Sequence, residues 1–302
     1  MTSVYVATAG GLLHVDDTGA FRRGELDGKD VTAVDARGDV VVTAVSGAGV
    51  WRRTQGAWSQ LGLERATVWT VALGDDQIVY AGVEPAALWR LGNGSPRELR
   101  ALDAVDGHDA WYSPWGPADL STVVAEGDRL IIGVEVGGVA VSHDRGATWH
   151  ARNDGLFEDV HTVVARGDSL YATTGMGCFV SADEGRQWSW ASDGIDRGYT
   201  LGLARADEAL VVAAASGPPP LWEAGGPEAG IFRAEQDDAP LEWVPVFDDF
   251  AGAIERHGLA ADGRLVVAGT TAGELLVSHD GARTFMRACS GLPPIRAVAI
   301  AA

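Results

Sequence analysis

One short apolar segment recurs seven times along the chain and constrains the fold more than any other feature. Its spacing lies between 36 and 55 residues. The copies are "VYVATA", "VVVTA", "IVYAG", "LIIGV", "LYATT", "LVVAA" and "LVVAG", beginning at Val4, Val40, Ile78, Leu130, Leu170, Leu210 and Leu265. Self-similarity at about 40 residues, with β-rich segments and no long amphipathic helix, is typical of propeller blades.

Each copy has similar neighbours. A β-rich stretch precedes it, and a Gly/Asp pair such as Gly127-Asp128 or Gly167-Asp168 supplies the turn between the two. A third segment follows, such as "GVWRRT" (49–54) or "GCFVSAD" (177–183), and then a fourth that often carries tryptophan, such as "AWSQLG" (57–62). The pattern predicts an all-β fold of seven four-stranded antiparallel blades.

The first blade is divided between the two ends of the chain. "IRAVAIAA" (295–302) has the pattern of an inner strand, whereas residues 4–26 contain three strands without an inner one. Pairing them removes two exposed strand edges. We therefore predict one propeller domain over residues 1–302, with blade 1 shared between about 1–28 and 295–302 and with insert loops at about 104–119 and 215–230.

Three turns carry a recognisable motif. "SHDRGATW" (142–149) has the pattern S-x-D-x-G-x-T-W, "SADEGRQW" (181–188) has Gln187 in place of Thr, and "SHDGARTF" (278–285) has its glycine one place early. The chain resembles the BNR/Asp-box propellers (sialidase-like, YVTN/BNR-type), which include sortilin-type receptors and photosystem II assembly factors. The resemblance implies a structural hairpin between the third and fourth strands, on the face away from the usual ligand site. Because (F/Y)RIP and a Tyr–Glu pair are missing, sialidase activity is not implied.

The two insert loops are expected to lie on the ligand-side face. The first carries Trp111, Tyr112 and Trp115, and the second carries Trp222 and Glu223. Aromatic planes beside carboxylates suit a sugar, a heterocycle or a cation. The alternative is that the rings fold inward and cap the channel.

A second set of candidates lies where inner strands begin. His161 and His257 occupy corresponding positions, with Tyr199, Arg256 and Arg296 at neighbouring strand starts. The histidines could share a divalent metal with Glu135 or Glu255, act as an acid–base pair, or hold an anion beside Arg296; a water-filled polar channel is the alternative. Glu84 and Glu135 recur in equivalent loops and are either acid–base groups or parts of an acidic rim. Cys178 is expected to be a packed strand residue rather than a nucleophile.

Charge and composition exclude several classes of partner. The net charge is −19 with Lys29 as the only lysine, which disfavours nucleic acid and anionic membranes. Two cysteines are too few for a disulfide framework, and "MTSVYVATAGGLL" lacks the features of a signal peptide, so a cytoplasmic location is expected.

Two functions follow from these residues. The first is a binding or scaffold module for a small polar or sugar-like ligand or a protein partner at the channel mouth, with no required cofactor. The second is a hydrolase or lyase in which His161, His257 and Glu135 transfer protons, Arg256 or Arg296 orients an anionic group, and the tryptophans form the walls.

Overall fold

The computed structural model describes residues 2–92, 94–235 and 240–301, without the side chains at positions 223–225. The chain divides into two compact units. The first contains Met1–Val31, Thr173–Phe179 and Trp190–Ala302, and the second contains Thr32–Ala172 and Val180–Ser189.

The described residues form seven four-stranded antiparallel sheets, as expected for a seven-bladed β-propeller. Blade 1 contains β1 (Ser3–Thr8), β2 (Gly11–Asp16), β3 (Phe21–Glu25) and β28 (Ile295–Ala301). Blade 2 contains β4 (Val31–Arg37), β5 (Val40–Val45), β6 (Gly49–Thr54) and β7 (Ala57–Gly62). Blade 3 contains β8 (Thr67–Leu73), β9 (Val79–Glu84), β10 (Ala87–Leu91) and β11 (Arg97–Glu98).

The other four blades repeat this order. Blade 4 contains β12 (Leu120–Glu126), β13 (Arg129–Val134), β14 (Gly138–Ser142) and β15 (His150–Ala151). Blade 5 contains β16 (Val160–Arg166), β17 (Ser169–Thr174), β18 (Gly177–Ser181) and β19 (Ser189–Trp190). Blade 6 contains β20 (Tyr199–Ala206), β21 (Ala209–Ala215), β22 (Gly230–Ala234) and β23 (Trp243–Phe247). Blade 7 contains β24 (Leu259–Asp262), β25 (Leu265–Gly269), β26 (Leu275–Ser278) and β27 (Met286–Cys289).

The predicted pairing of the two chain ends is confirmed. β28 lies beside β1 in antiparallel register, with Val4 opposite Ile300 and Val6 opposite Val298. The order β28-β1-β2-β3 places the last strand of the chain at the inner position of blade 1. Ile295 and Val298 pack with Val4 and Val6 in one buried cluster. Both the packing of apolar side chains and the backbone hydrogen bonds therefore fix the register of the two strands.

Neighbouring sheets pack through small clusters of aliphatic side chains. Within the second unit, one cluster joins blades 2 and 3 around Val42 and Val79, and another joins blades 3 and 4 around Leu88 and Leu130. Within the first unit, Ile231 of blade 6 packs with the side chains of blade 7. Because each cluster lies between neighbouring sheets, each sheet is stabilised mainly by its neighbours.

The two insert segments fall between strands in the structure. The first carries 3-10 turns at Arg100–Ala104 and His108–Ala110 and leads into β12. The second joins β21 to β22 and contains the short helix α1 (Pro219–Gly225). No helix in the described residues is long and apolar enough to cross a membrane.

The inner strand of blade 7 is shorter than predicted. His257 was expected where the inner strand begins, but β24 begins only at Leu259. Gly258 donates its N–H to the carbonyl of Glu255, which closes a turn just before the strand. His257 therefore lies ahead of β24, although it forms an isolated bridge with Ala297 and its carbonyl accepts the N–H of Val298.

Candidate functional site

The loop 104–119 of the second unit divides its aromatic side chains between two roles. Trp111 is half-buried and packs against the cluster between blades 3 and 4, with its ring centroid 4.6 Å from that of His108. Tyr112 and Trp115, by contrast, are 56% and 63% exposed. One ring of this loop therefore packs inward against blades 3 and 4, while the other two face solvent.

The exposed rings belong to an ordered turn. Ser113 and Gly116 form an isolated bridge, and the Ser113 hydroxyl accepts the backbone N–H of Trp115 at 3.2 Å. Tyr112 donates its own N–H to the carbonyl of Val136 at 3.4 Å, which ties the loop to blade 4. These contacts restrain the backbone, so the two rings lose less conformational entropy when a ligand contacts them.

The same turn lies over the two recurring carboxylates. Glu84 ends β9 and accepts the indole N–H of Trp69 at 2.9 Å, while a Cβ atom on Gly116 would lie 3.6 Å from its Oε1. Glu135 directly follows β13 and accepts the Ser113 hydroxyl at 3.3 Å. Their equivalent placement was predicted, and the loop brings Ser113 and Gly116, the chain neighbours of the exposed Tyr112 and Trp115, next to them.

Blades 4 and 5 contribute further polar side chains, and these are buried. Asp119, Glu135 and His161 are only 5%, 8% and 3% exposed. The N–H of Glu135 donates to the carbonyl of Asp119 at 3.0 Å, and His161 Nε2 lies 3.4 Å from a carboxylate oxygen of Asp159. The burial of His161 limits its contact with a ligand arriving from solvent.

A cavity of about 170 Å³ lies at the same end of blade 3 as Glu84. Its lining includes Thr32 at the start of β4, Ser46 after β5, and Glu64, Arg65 and Thr67 before and at the start of β8. Thr67 is opposite Glu84 in the register of β8 and β9, so the cavity and the carboxylate share one end of blade 3. We call the surface formed by this cavity, Glu84, Glu135 and residues 112–116 the acidic-aromatic surface.

The first unit contains a separate polar cluster. The Arg296 guanidinium lies 3.7 Å from Asp30 Oδ1 through Nε and 4.0 Å from Glu255 Oε1 through Nη1. Desolvation raises the pKa of Glu255 despite the opposing charges of Arg296 and Arg256. Of the predicted residues in this unit, the structure thus brings together Arg256 and Arg296. Tyr199, a further candidate, is half-buried at the start of β20.

The second insert loop is held by its own contacts. The Trp222 indole N–H donates to the carbonyl of Gly217 at 2.7 Å within the same loop. The ring is half-buried, so its visible role is to fix the short helix α1. The side chain of Glu223, another predicted binding residue, lies outside the described residues.

Metal and thiol chemistry gain little support. Among the described residues no group of three or more His, Cys, Asp or Glu side chains is arranged to hold a metal ion. Cys178 is a free thiol, and burial raises its pKa to about 12, which keeps it protonated and unreactive at neutral pH.

The three aspartate turns are structural devices, as expected. In the turn 142–149 the Asp144 carboxylate accepts the hydroxyl and N–H of Thr148, and these bonds lower its pKa to about 2. The buried Ser142 hydroxyl accepts the N–H of Gly146, which has φ +85°. In the turn 278–285 Ala282 occupies the equivalent position with φ +63°, which explains how the motif tolerates its displaced glycine.

Three residues of these clusters were missed by sequence reasoning. Trp69 and Ser113 hold the two carboxylates, and Asp30 lies within an ordinary-looking "DGKD" turn (27–30). The position of Trp69 near the start of an inner strand was a signal that its indole N–H could reach a carboxylate at the same end of the blade. Asp30 had none, because its neighbour Arg296 is distant in sequence.

No family model and no curated protein matches the chain. Solved structures do resemble it. YCF48 from Cyanidioschyzon merolae superposes with a TM-score of 0.61 at 14% identity over 87% of each chain. YCF48 bound to a D1 peptide gives 0.61 at 14% identity, over 85% of this chain and 81% of that one.

A GH74 enzyme from Niastella koreensis gives a TM-score of 0.65 at 14% identity over 95% of this chain. The chain spans about half the length of that enzyme, 47%. At such low identity these likenesses establish the β-propeller fold alone.

Proposed function

We propose that the protein is a binding module that holds a basic segment of a partner polypeptide on its acidic-aromatic surface. The observation that carries the proposal is the exposure of Tyr112 and Trp115 beside two hydrogen-bonded carboxylates, Glu84 and Glu135. Two large exposed rings have no evident use in folding, whereas aromatic residues are the commonest anchors of interfaces.

Charge favours a cationic partner. The protein carries a net charge of −19, which steers cations toward it and repels anions. A lysine or arginine side chain can pair with the half-buried Glu84 while its stem packs on Tyr112 or Trp115, and a cation over an aromatic face gains about 0.5–2 kcal/mol. The peptide-bound YCF48 structure supports a peptide as the ligand class for this fold.

The hydrolase or lyase remains the alternative, and the GH74 neighbour is the finding that favours it. That function needs a proton-transfer group in contact with substrate. His161 is 3% exposed and faces Asp159, which supports a positioning or structural role for this histidine better than proton exchange with a ligand. Binding without chemistry is therefore the better supported function.

We also propose membership of the BNR/Asp-box propellers, on the strength of the three aspartate turns, and a cytoplasmic location, on the strength of the two free cysteines.

An array of peptides that differ in charge tests the binding function. We expect the protein to retain basic peptides, with binding that weakens as salt rises because surface charges are screened. The Trp115→Ala variant should lose at least about tenfold in affinity, which is the usual cost of removing an aromatic anchor. Trp190→Ala is the matched control, since Trp190 is also exposed, at 56%, but lies outside the surface.

Two results would reject this function. One is equal peptide binding by the wild type and the Trp115→Ala variant. The other is retention of neutral or acidic peptides in preference to basic ones.

A further inference from the structure

The polar cluster of the first unit has an arrangement that internal pairing does not explain. Arg296 stands between Asp30 and Glu255 at 3.7 and 4.0 Å. Both distances exceed the 2.7–3.2 Å of a direct N–H···O hydrogen bond. The Arg296 side chain is 37% exposed and could turn toward either carboxyl group, yet its guanidinium makes a close bond with neither. The spacing suits a group that fits between the arginine and its acidic neighbours.

Asp30 gives independent evidence for such a group. Its Oδ1 atom is shielded from solvent and accepts no hydrogen bond from the described residues. A buried acceptor left without a donor costs about 1–3 kcal/mol, so native structures rarely leave one unsatisfied. A hydroxyl donor entering the cluster would satisfy this atom.

The charges of the cluster select against ions. Asp30 and Glu255 are opposed by Arg256 and Arg296, and burial raises the pKa of Glu255. With both carboxyl groups ionised, the charges of the four side chains balance. An anion would meet Asp30 and a cation would meet two guanidinium groups, whereas a neutral ligand meets a balanced set of donors and acceptors.

We propose that Asp30, Glu255 and Arg296 form a second binding site, for a neutral vicinal diol such as the adjacent hydroxyls of a sugar. One hydroxyl donates to Asp30 Oδ1 and accepts from Arg296, and its neighbour bonds to Glu255. A hydroxyl both donates and accepts, which is the capacity that a mixed Asp–Arg–Glu cluster requires. The residues of this site belong to the first unit, and none of them is part of the acidic-aromatic surface.

Saturation-transfer NMR of the full chain with four probes tests the site: D-xylose, myo-inositol, D-glucuronate and D-glucosamine. We expect the two neutral polyols to bind with dissociation constants on the order of millimolar, as few hydrogen bonds allow. Arg296→Met and Asp30→Asn should each weaken their binding by about tenfold, since each removes a charged hydrogen-bond partner. Arg287→Met is the control, because Arg287 is similarly exposed, at 38% against 37% for Arg296.

Several outcomes would overturn the proposal. They are no binding of either neutral polyol at about 50 mM, unchanged binding by Arg296→Met, and preferential binding of glucuronate or glucosamine. If Arg296→Met fails to fold, Arg296→Lys takes its place, since it retains the charge and loses the two-pronged hydrogen bonding of arginine. Trp115→Ala should leave polyol binding unchanged, which separates failure of this site from failure of the peptide surface.

Discussion

Deleting residues 295–302 should prevent the chain from folding, because β28 supplies the inner strand of blade 1. Ile295 and Ala297 are fully buried, and Val298 is 5% exposed. Burying one isoleucine and one valine contributes about 1.5–3 kcal/mol of stability each. Burying the small side chains of Ala297, Ala299 and Ala301 adds about 0.8 kcal/mol each. The loss is about 5–8 kcal/mol, against a typical domain stability of about 5–15 kcal/mol.

The deletion also exposes β1. All six residues of that strand pair with β28, from Ser3 opposite Ala301 to Thr8 opposite Ile295. An unpaired apolar strand edge promotes aggregation, so we expect the truncated protein to be insoluble or to lack a cooperative unfolding transition.

Urea unfolding followed by near-ultraviolet circular dichroism is the assay. Ile295→Val provides a graded test and should cost about 0.5–1.5 kcal/mol. Replacing Pro219–Gly225 by two glycines is the control, and it should be far less damaging because that helix lies in a loop. The reasoning is refuted if a chain of residues 1–294 unfolds cooperatively within about 1 kcal/mol of the wild type.

Three further predictions concern single side chains. Asp144→Asn should remove stability that the wild type has above pH 4 and loses as the pH falls toward 2, because the folded-state pKa of Asp144 is lowered from 3.8 to about 2. The unfolding free energies of the two proteins, measured by urea titration, should therefore converge as the pH falls. A difference that does not shrink would mean that the turn contributes nothing. Glu255→Gln should become progressively more stable than the wild type as the pH rises above the ordinary glutamate pKa of 4.5, because the raised folded-state pKa makes ionisation of Glu255 unfavourable. A difference in stability that does not change with pH would contradict this. Trp188→Phe should lower the unfolding free energy by about 1–2 kcal/mol, because it removes the 2.8 Å hydrogen bond from the indole N–H to the Arg152 carbonyl. Trp190→Phe should change the unfolding free energy by no more than about 0.5 kcal/mol, because Trp190 is exposed. Equal effects of the two substitutions would contradict this prediction.

The blades were predictable because local patterns determine them. All seven apolar segments found from the sequence are the second strands of their blades, and the pairing of β28 with β1 followed from the need to cover two strand edges. In the other six blades apolar spacing and turn residues were sufficient, since each strand pairs with its neighbour in sequence.

Local sequence was a weaker guide where one residue departs from the pattern. His257 was assigned to an inner strand, but Gly258 turns the chain just before β24. Asp16 was not recognised as an aspartate turn because His14 replaces serine and Thr18 replaces glycine. Its carboxylate nevertheless accepts the hydroxyl and N–H of Thr18 and the N–H of Ala20, and its pKa falls to about 2.

The candidate sites depend on contacts that sequence does not encode locally. The aromatic loop was located correctly, but nothing in "AWYSPW" (110–115) indicates that Trp111 turns inward while Trp115 stays exposed. The Asp30–Arg296 pair joins residues from opposite ends of the chain, and only the pairing of β28 with β1 places them together.

Oxidative footprinting in the presence of a basic peptide is the most direct test of the proposed binding function, because it reports on each exposed ring separately. Tyr112, Trp115 and Trp190 are 56%, 63% and 56% exposed and should be modified at similar rates in the free protein. We expect the bound peptide to protect Tyr112 and Trp115 and to leave Trp190 unchanged. Undiminished oxidation of Trp115 while the peptide is bound would contradict the acidic-aromatic surface as its site.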